Sequence, residues 1–236
     1  MNHKARVPGR PGRPGRPGRP VATCALATLG AVLLAACTAV PVPPTTWLRL
    51  PAEMPVSSAA PTSSAAMLAA MPAATEVWQL MQPVLLPGHL ERDSLFVPQS
   101  AAGAWVRPLA GARWIEPLRD AVPRLLREDL VRLMGPAGGR VLWTAPVPPG
   151  LVPTRQLRVE IAAFEIGADG KALALHARWS IADARGAQAP TVHEARFETP
   201  AAGTGTGTSD IEAWALAHRQ AITTLAARIA ATLSAP

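Results

Sequence analysis

Large aromatic side chains and cysteines are scarce in this sequence. Its 236 residues include no tyrosine, three phenylalanines and two cysteines. Seven tryptophans and the abundant alanines must therefore supply much of the packing in any core. Two cysteines allow at most one disulfide bond, and Cys24 lies inside an apolar run, 21–36, that has the properties of an export signal. Removal of that run would leave one thiol and no disulfide, so the folded part needs a self-sufficient core.

The motifs of common enzyme classes are also missing. The sequence contains no Gly-x-Ser-x-Gly elbow, no His-Glu-x-x-His zinc motif, no phosphate-binding loop and no Gly-x-Gly-x-x-Gly after a predicted strand. We therefore expect a protein that is not an enzyme, with no catalytic residues, no metal ligands and no bound cofactor. Because catalytic triads are assembled in space, an unrecognised hydrolase stays open as an alternative.

Acidic residues do not occur in the first 36 positions, where six basic residues are found. The whole chain has a formal net charge of +7, a value that by itself would favour nucleic-acid binding. Without residues 1–36, 17 basic residues stand against 16 acidic ones, and the net charge is +1. We therefore predict no nucleic-acid partner and no strong electrostatic attraction to acidic lipid.

The apolar run ends in the tetrad Leu34-Ala35-Ala36-Cys37. A basic segment, a short apolar run and small residues before a cut site are typical of a secretory signal. The tetrad is similar to the lipobox of bacterial lipoproteins, which implies cleavage between Ala36 and Cys37. Cys37 would then carry a diacylglycerol thioether and an N-acyl chain such as palmitate. An uncleaved membrane anchor, or an ordinary signal with a chance cysteine, are the alternatives, although the run is shorter than the ~20 residues of a typical membrane span.

Residues 37–75 have the composition of a tether. Proline, alanine, serine and threonine dominate this stretch, and charge is almost absent. Such a segment buries too little apolar surface to offset the entropy of ordering the chain, so we predict a disordered linker. The segment Trp47-Leu48-Arg49-Leu50 interrupts the composition. It is either a short extended piece that docks on the following domain or a stray apolar patch.

The domain is expected to occupy residues 76–236. Residues 76–81 are apolar enough for a buried strand, and 94–97 and 104–107 resemble short strands around a turn at Gly103. A further short strand is predicted at 140–143.

A helix is predicted after Gly111 and before the stop signal Gly135-Pro136. Pro123 inside this segment should bend the helix or move its start to a later residue, because proline removes a helical hydrogen bond. The apolar residues that recur at helical spacing are Ile115, Leu118, Val122, Leu125, Leu126, Leu130 and Leu133.

The clearest strand pattern follows Pro153. Residues 157–163, 173–181 and 191–198 alternate between apolar and polar side chains and are joined by Gly-rich or Asp-rich turns, which predicts an antiparallel meander. The capping box Ser209-Asp210-Ile211-Glu212 then opens a helix whose apolar face should cover the meander. The predicted fold is a single α/β domain, with a mixed β-sheet and a C-terminal meander packed against two long helices. The apolar face of the last helix comprises Ile211, Trp214, Ala215, Ile222, Leu225, Ile229 and Leu233.

A few polar residues are candidates for a functional site. His176 and His193 lie on neighbouring predicted strands, but no third ligand accompanies them, and we interpret them as strand residues on the solvent face. His218 is interpreted as a half-buried packing residue. Glu116 and Asp120 are spaced to share a helix face, and we interpret them as favourable charge near a helix N-terminus.

The ordered motifs of the chain resemble those of the ABC-type transport auxiliary lipoprotein family, and the likeness covers nearly all of the mature chain. None of these motifs is catalytic, and their order and spacing carry the resemblance. Besides the lipobox, they are Trp47-Leu48-Arg49-Leu50, Val77-Trp78-Gln79-Leu80, Pro87-Gly88-His89-Leu90, Trp114-Ile115-Glu116-Pro117-Leu118 and Leu157-Arg158-Val159-Glu160-Ile161 with Phe164.

The resemblance implies a lipoprotein anchored in the outer membrane and facing the periplasm. It also implies work with a mammalian-cell-entry (MCE) domain protein and with inner-membrane components of the ABC or PqiA-like type. Such systems move phospholipid or other hydrophobic compounds between membranes, and the folded domain would dock a partner or assemble into a homo-oligomeric ring. Thr38 agrees with outer-membrane sorting, for which aspartate would be the usual opposing signal. The alternative is a lipid-anchored envelope protein of another class, such as a cell-wall or solute-binding module.

Overall fold

The computed structural model of the protein describes residues 44–52, 76–100, 105–134, 140–144, 146–201 and 208–234. The predicted signal, the Ala36–Cys37 cleavage site and most of the predicted tether lie outside the described residues. In chain order, the strands are β1 (Thr46–Leu48), β2 (Glu76–Leu80), β3 (Ser94–Pro98), β4 (Val106–Trp114), β5 (Arg140–Thr144), β6 (Arg155–Ile166), β7 (Ala172–Asp183) and β8 (Thr191–Pro200). The helices are α1 (Leu118–Met134) and α2 (Thr208–Ser234), with a short 3₁₀ turn at Gly88–Glu91.

The described strands form two sheets. The larger has the order β5-β2-β6-β7-β8, with β2 parallel to both β5 and β6 and the last three strands antiparallel. The smaller has the order β1-β4-β3 and is also mixed, since β1 is parallel and β3 antiparallel to β4. The predicted single α/β domain with mixed pairing is confirmed, but its strands are divided between two sheets that share one core with both helices.

The C-terminal meander is confirmed, with one change of register. Leu157, Val159 and Ile161 are buried on the predicted inner face of β6. A β-bulge after Ile161 inserts one extra residue, so that the next inward side chains are Phe164 and Ile166. The alternation predicted along 157–163 would have placed Ala163 inward with Leu157, Val159 and Ile161. That position is wrong, because a one-residue insertion moves every later side chain to the opposite face.

Helix α2 covers the inner face of the meander, as predicted, and all seven residues of its predicted apolar face are buried. The indole N–H of Trp214 donates to the carbonyl of Gly170 at 3.0 Å and so ties the helix to the β6–β7 turn. The helix begins at Thr208, one residue before the predicted capping serine, and the side chain of Ser209 lies outside the described set.

Helix α1 runs through Pro123 without a later start, which corrects one of the two predicted effects of that proline. Its first turn is set by Pro117, whose carbonyl accepts hydrogen bonds from the N–H groups of Asp120 and Ala121 at 2.9 and 3.0 Å. Two positions of the predicted apolar face, Ile115 and Leu133, are exposed instead. Ile115 precedes the helix, and Leu133 lies in its last turn, beyond the core.

The segment that follows Pro44 docks on the domain, which confirms the first interpretation of Trp47–Leu50. Strand β1 pairs with the end of β4, and Leu48 and Leu50 are buried in the common core. Gly111 permits this approach. It has φ +76°, and a Cβ there would lie 2.9 Å from the carbonyl oxygen of Pro44. The folded body therefore takes in residues 44–52, which the sequence-based boundary left in the tether.

Candidate functional site

A buried ion pair joins the two helices at the point where the docked segment ends. The side chains of Arg219 on α2 and Asp129 on α1 are 0% and 1% exposed. One terminal guanidinium nitrogen of Arg219 donates to Oδ2 of Asp129 at 2.6 Å, and the other donates to Oδ1 at 2.7 Å. This two-pronged contact is the strong geometry for an arginine and a carboxylate.

The remaining donors of Arg219 bind main chain and a hydroxyl. Its Nε donates to the carbonyl of Pro51 at 2.8 Å, and a terminal nitrogen donates to the carbonyl of Ala52 at 3.0 Å. Another N–H reaches Oγ1 of Thr223 at 2.6 Å. All five N–H groups of the guanidinium thus have acceptors, which offsets the cost of burying the charge. We call this group the clasp: Asp129, Arg219, Thr223 and the carbonyls of Pro51 and Ala52.

Helical spacing brings the clasp residues together. Asp129 follows Leu125 by four residues and therefore lies on the buried face of α1. Arg219 precedes Thr223 by four residues on α2, and the Thr223 hydroxyl is 3.1 Å from Oδ2 of Asp129. The ion pair is fully buried, and Arg219 also binds the carbonyls of Pro51 and Ala52, so the clasp holds the end of the docked segment on the two helices.

Sequence reasoning did not find the clasp. The only sequence signal was the position of an acidic and a basic residue within the apolar spacing of two helices. Charged residues at such positions are rarely fully buried unless they are paired. Pairing Asp129 with Arg219 across 90 positions required the tertiary fold.

His218 lies next to the clasp and is fully buried, whereas the sequence predicted a half-buried packing residue. Its Nδ1 donates to the carbonyl of Trp214 at 2.7 Å. The ring meets Trp114 and Phe164 edge to face, with centroid distances of 5.2 and 4.8 Å. Burial lowers the pKa of His218 to about 4, and the hydrogen bond to Trp214 opposes this shift only in part. At neutral pH the residue is an uncharged packing element of the core.

We predict that His218 makes the folded body acid-sensitive. Its ordinary pKa is 6.5, so between pH 6.5 and about 4 the unfolded chain binds a proton that the folded chain excludes. The free energy of unfolding should therefore fall with decreasing pH, by about 3 kcal/mol over this window. Urea unfolding of the wild type and of His218→Phe at a series of pH values measures the difference. Parallel pH dependences of the two proteins would contradict the prediction.

His176 and His193 do not come together as a pair of zinc ligands. His176 pairs in register with Arg196, and His193 with Trp179, so the two rings lie on opposite faces of the sheet. His176 Nε2 is 2.9 Å from the Glu194 carboxylate on the outer face, as the solvent-face interpretation predicts. That interpretation is wrong for His193, whose ring stacks on the buried Trp179 on the inner face, with 5.5 Å between the ring centroids. Hydrogen bonding from His176, followed by that from Arg196, lowers the pKa of Glu194. No group of three or more potential metal-ligating side chains comes together among the residues that the structure describes.

The two acids near the start of α1 have separate partners. Glu116 precedes the helix and forms an ion pair with Arg124 at 2.6 Å, and this hydrogen bond is the main cause that raises the pKa of Arg124. Asp120 is 3.5 Å from Arg119. The predicted shared helix face is therefore wrong for Glu116, while Asp120 keeps the predicted position in the first turn.

Two open clefts lie on the surface of the described body. One, of about 380 Å³, is lined by Glu76, Arg140 and Arg155, and the Glu76 carboxylate is 3.2 and 3.6 Å from the two arginines. The other, of about 510 Å³, lies between the segment 82–86 and the start of α1. Neither helix in the described part of the chain combines the length and apolarity needed to cross a bilayer.

Comparisons with known proteins give a family and a fold. The family model described as the ABC-type transport auxiliary lipoprotein component matches residues 58–230. The crystal structure of a Xanthomonas campestris protein of the family DUF330 is similar, with a TM-score of 0.53 and 14% identity, over 79% of this chain and 96% of that chain. An uncharacterized protein gives a TM-score of 0.52 and 17% identity, over 70% and 95% of the two chains. Identities this low indicate a shared fold only. The search of curated proteins found no match.

Proposed function

This chain belongs to the family of ABC-type transport auxiliary lipoprotein components, and we propose that it is an outer-membrane lipoprotein that assists intermembrane lipid transport. In this proposal Cys37 carries the diacylglycerol and N-acyl chains, and the folded body faces the periplasm. The partners are an MCE-domain protein and inner-membrane ABC or PqiA-like components. The cargo is a phospholipid or another hydrophobic compound.

The observation that carries the proposal is the docking of residues 44–52 so soon after the lipobox. Pro44 contacts Gly111 on β4, and the clasp holds Pro51 and Ala52. Seven residue steps separate Cys37 from Pro44, and an extended chain of that length spans at most about 25 Å. The lipid anchor would therefore hold the body close to the bilayer, where it can position a partner that bridges two membranes.

We propose that the body acts by binding rather than by catalysis. Two buried polar residues, Arg219 and His218, have their polar atoms or rings engaged within the fold. Arg219 is saturated by its five acceptors, and His218 is enclosed between two aromatic rings. These contacts support a structural role for Arg219 and for His218.

The test is in-cell cross-linking of the tagged, full-length protein, followed by detergent extraction and mass spectrometry. We expect an MCE-domain protein to be enriched relative to a control in which an unrelated outer-membrane lipoprotein carries the same tag. Equal recovery from both baits would contradict the proposed partner. Enrichment of cell-wall enzymes instead would favour the alternative of an envelope protein of another class.

A further inference from the structure

The tip of the β3–β4 hairpin presents the most exposed large apolar side chain among the described residues. Trp105 is 77% exposed and Val106 39%, and Arg107 beside them is exposed as well. We call these three residues the hairpin tip. The main-chain N–H of Gln99 donates to the carbonyl of Trp105 at 2.6 Å, so strand pairing fixes the position of the tip.

The N-terminal end of β1 points toward the hairpin tip. Strand β1 is parallel to β4, with Thr46 opposite Ala112, and Pro44 lies beside Gly111. The chain that precedes Thr46 therefore extends alongside β4 in the direction of Val106. About six residues of strand separate Gly111 from Trp105, a distance of roughly 20 Å.

The chain between Cys37 and Pro44 is long enough to reach the tip. Its maximum span of about 25 Å exceeds the roughly 20 Å from Gly111 to Trp105. A lipid on Cys37 can therefore lie next to the hairpin tip. Any bilayer that holds the lipid must lie within that same short distance of the body.

The chemistry of the tip fits the boundary between lipid headgroups and acyl chains. Tryptophan prefers this zone because its ring is apolar and its N–H is polar. An arginine next to it can donate to lipid phosphate. Residues 94–112 contain no acidic side chain, and Arg107 is their single charge, so nothing in this stretch repels phosphate.

We propose that the hairpin tip inserts at the boundary between the headgroups and the acyl chains of the phospholipid bilayer that holds the lipid on Cys37. This inference rests on the proposed function, because it requires the lipid anchor. The tip and the anchor then form two points of attachment, which fixes the orientation of the body on the membrane. A lipid alone would leave the body free to rotate.

Tryptophan fluorescence of the lipidated, full-length protein in vesicles tests this inference. The vesicles contain phosphatidylethanolamine, phosphatidylglycerol and a phosphatidylcholine with brominated acyl chains, which quench only tryptophans that touch them. We expect Trp105→Phe to lose most of the quenching. Trp47→Phe is the matched control, because Trp47 is 58% exposed on β1, opposite Arg113, and roughly 26 Å along β4 from the tip. It should keep the quenching of the wild type.

The outcomes separate this inference from the proposed function. Intact-mass measurement of the same sample reports whether Cys37 carries lipid. Lipid on Cys37 without quenching of Trp105 would overturn the inference and leave the proposed function standing. A shift of Trp105 emission to shorter wavelength without quenching would mean that protein covers the tip, and would overturn it as well. An unmodified Cys37 would overturn both.

Discussion

Replacement of Arg219 by methionine is expected to lower the free energy of unfolding of the folded body by about 3–5 kcal/mol. The Asp129 carboxylate would stay buried after losing both hydrogen bonds from the guanidinium. Its remaining ion-pair partner is Arg132, whose side chain is 58% exposed and therefore screened by water. Urea unfolding followed by circular dichroism measures the change.

A double variant separates the unpaired charge from the loss of packing. Asp129→Leu combined with Arg219→Met removes both charges, and such replacements of a buried pair are often close to neutral. We expect the double variant to recover most of the lost stability. Arg219→Lys should fall between the two, because an ammonium group cannot supply five donors in a fixed plane. A single variant within about 1 kcal/mol of the wild type would refute the importance of the clasp.

The same variant should also release the docked segment. Arg49 is exposed and lies two residues before Pro51, whose carbonyl the clasp holds. Trypsin should therefore cleave after Arg49 faster in Arg219→Met than in the wild type at equal fractions of folded protein. The double variant lacks the contacts to Pro51 and Ala52 and should show the same increase despite its recovered stability.

Replacement of Cys37 by serine is expected to stop maturation completely. The acceptor of the diacylglycerol must be a thiol, because the thiolate is the nucleophile that forms the thioether. The variant should therefore accumulate as a precursor that retains residues 1–36 and carries no lipid. Intact-mass analysis of membrane fractions distinguishes the two forms directly.

The chain supplies a matched control for that experiment in its second cysteine. Cys24 lies inside the apolar run and is not preceded by the Leu-Ala-Ala sequence. Cys24→Ser should mature and acquire lipid like the wild type. Normal processing of Cys37→Ser, or a defect in both variants, would refute the assignment of Cys37.

The meander and its covering helix could be predicted because their signals are local. Alternation along residues 173–181 sets one face of β7, and helical spacing from Ile211 to Leu233 sets one face of α2. Both patterns are set by backbone geometry alone. The bulge after Ile161 escaped prediction because it changes the alternation without any glycine or proline to indicate it.

The division into two sheets and the clasp depended on contacts between distant parts of the chain. Strand β1 has three residues and pairs with β4 more than 60 positions later, so its own sequence says little about its partner. The prediction from Pro123 failed for a different reason. Its missing N–H suggested a later helix start, but Pro123 is buried within the helix, and tertiary packing outweighs the lost hydrogen bond.

Residues 53–75 begin and end at points that are fixed on the folded body. The clasp holds the carbonyl of Ala52, and Glu76 begins β2, which pairs with two other strands. Insertions between these points enlarge a closed loop, and each doubling of its length costs only about 0.6 kcal/mol. The length of this segment can therefore change at little cost in stability and without moving the docked residues 44–52. With the proposed lipid on Cys37, the distance between the folded body and the bilayer is set by the few residues between Cys37 and Pro44, and not by the length of residues 53–75.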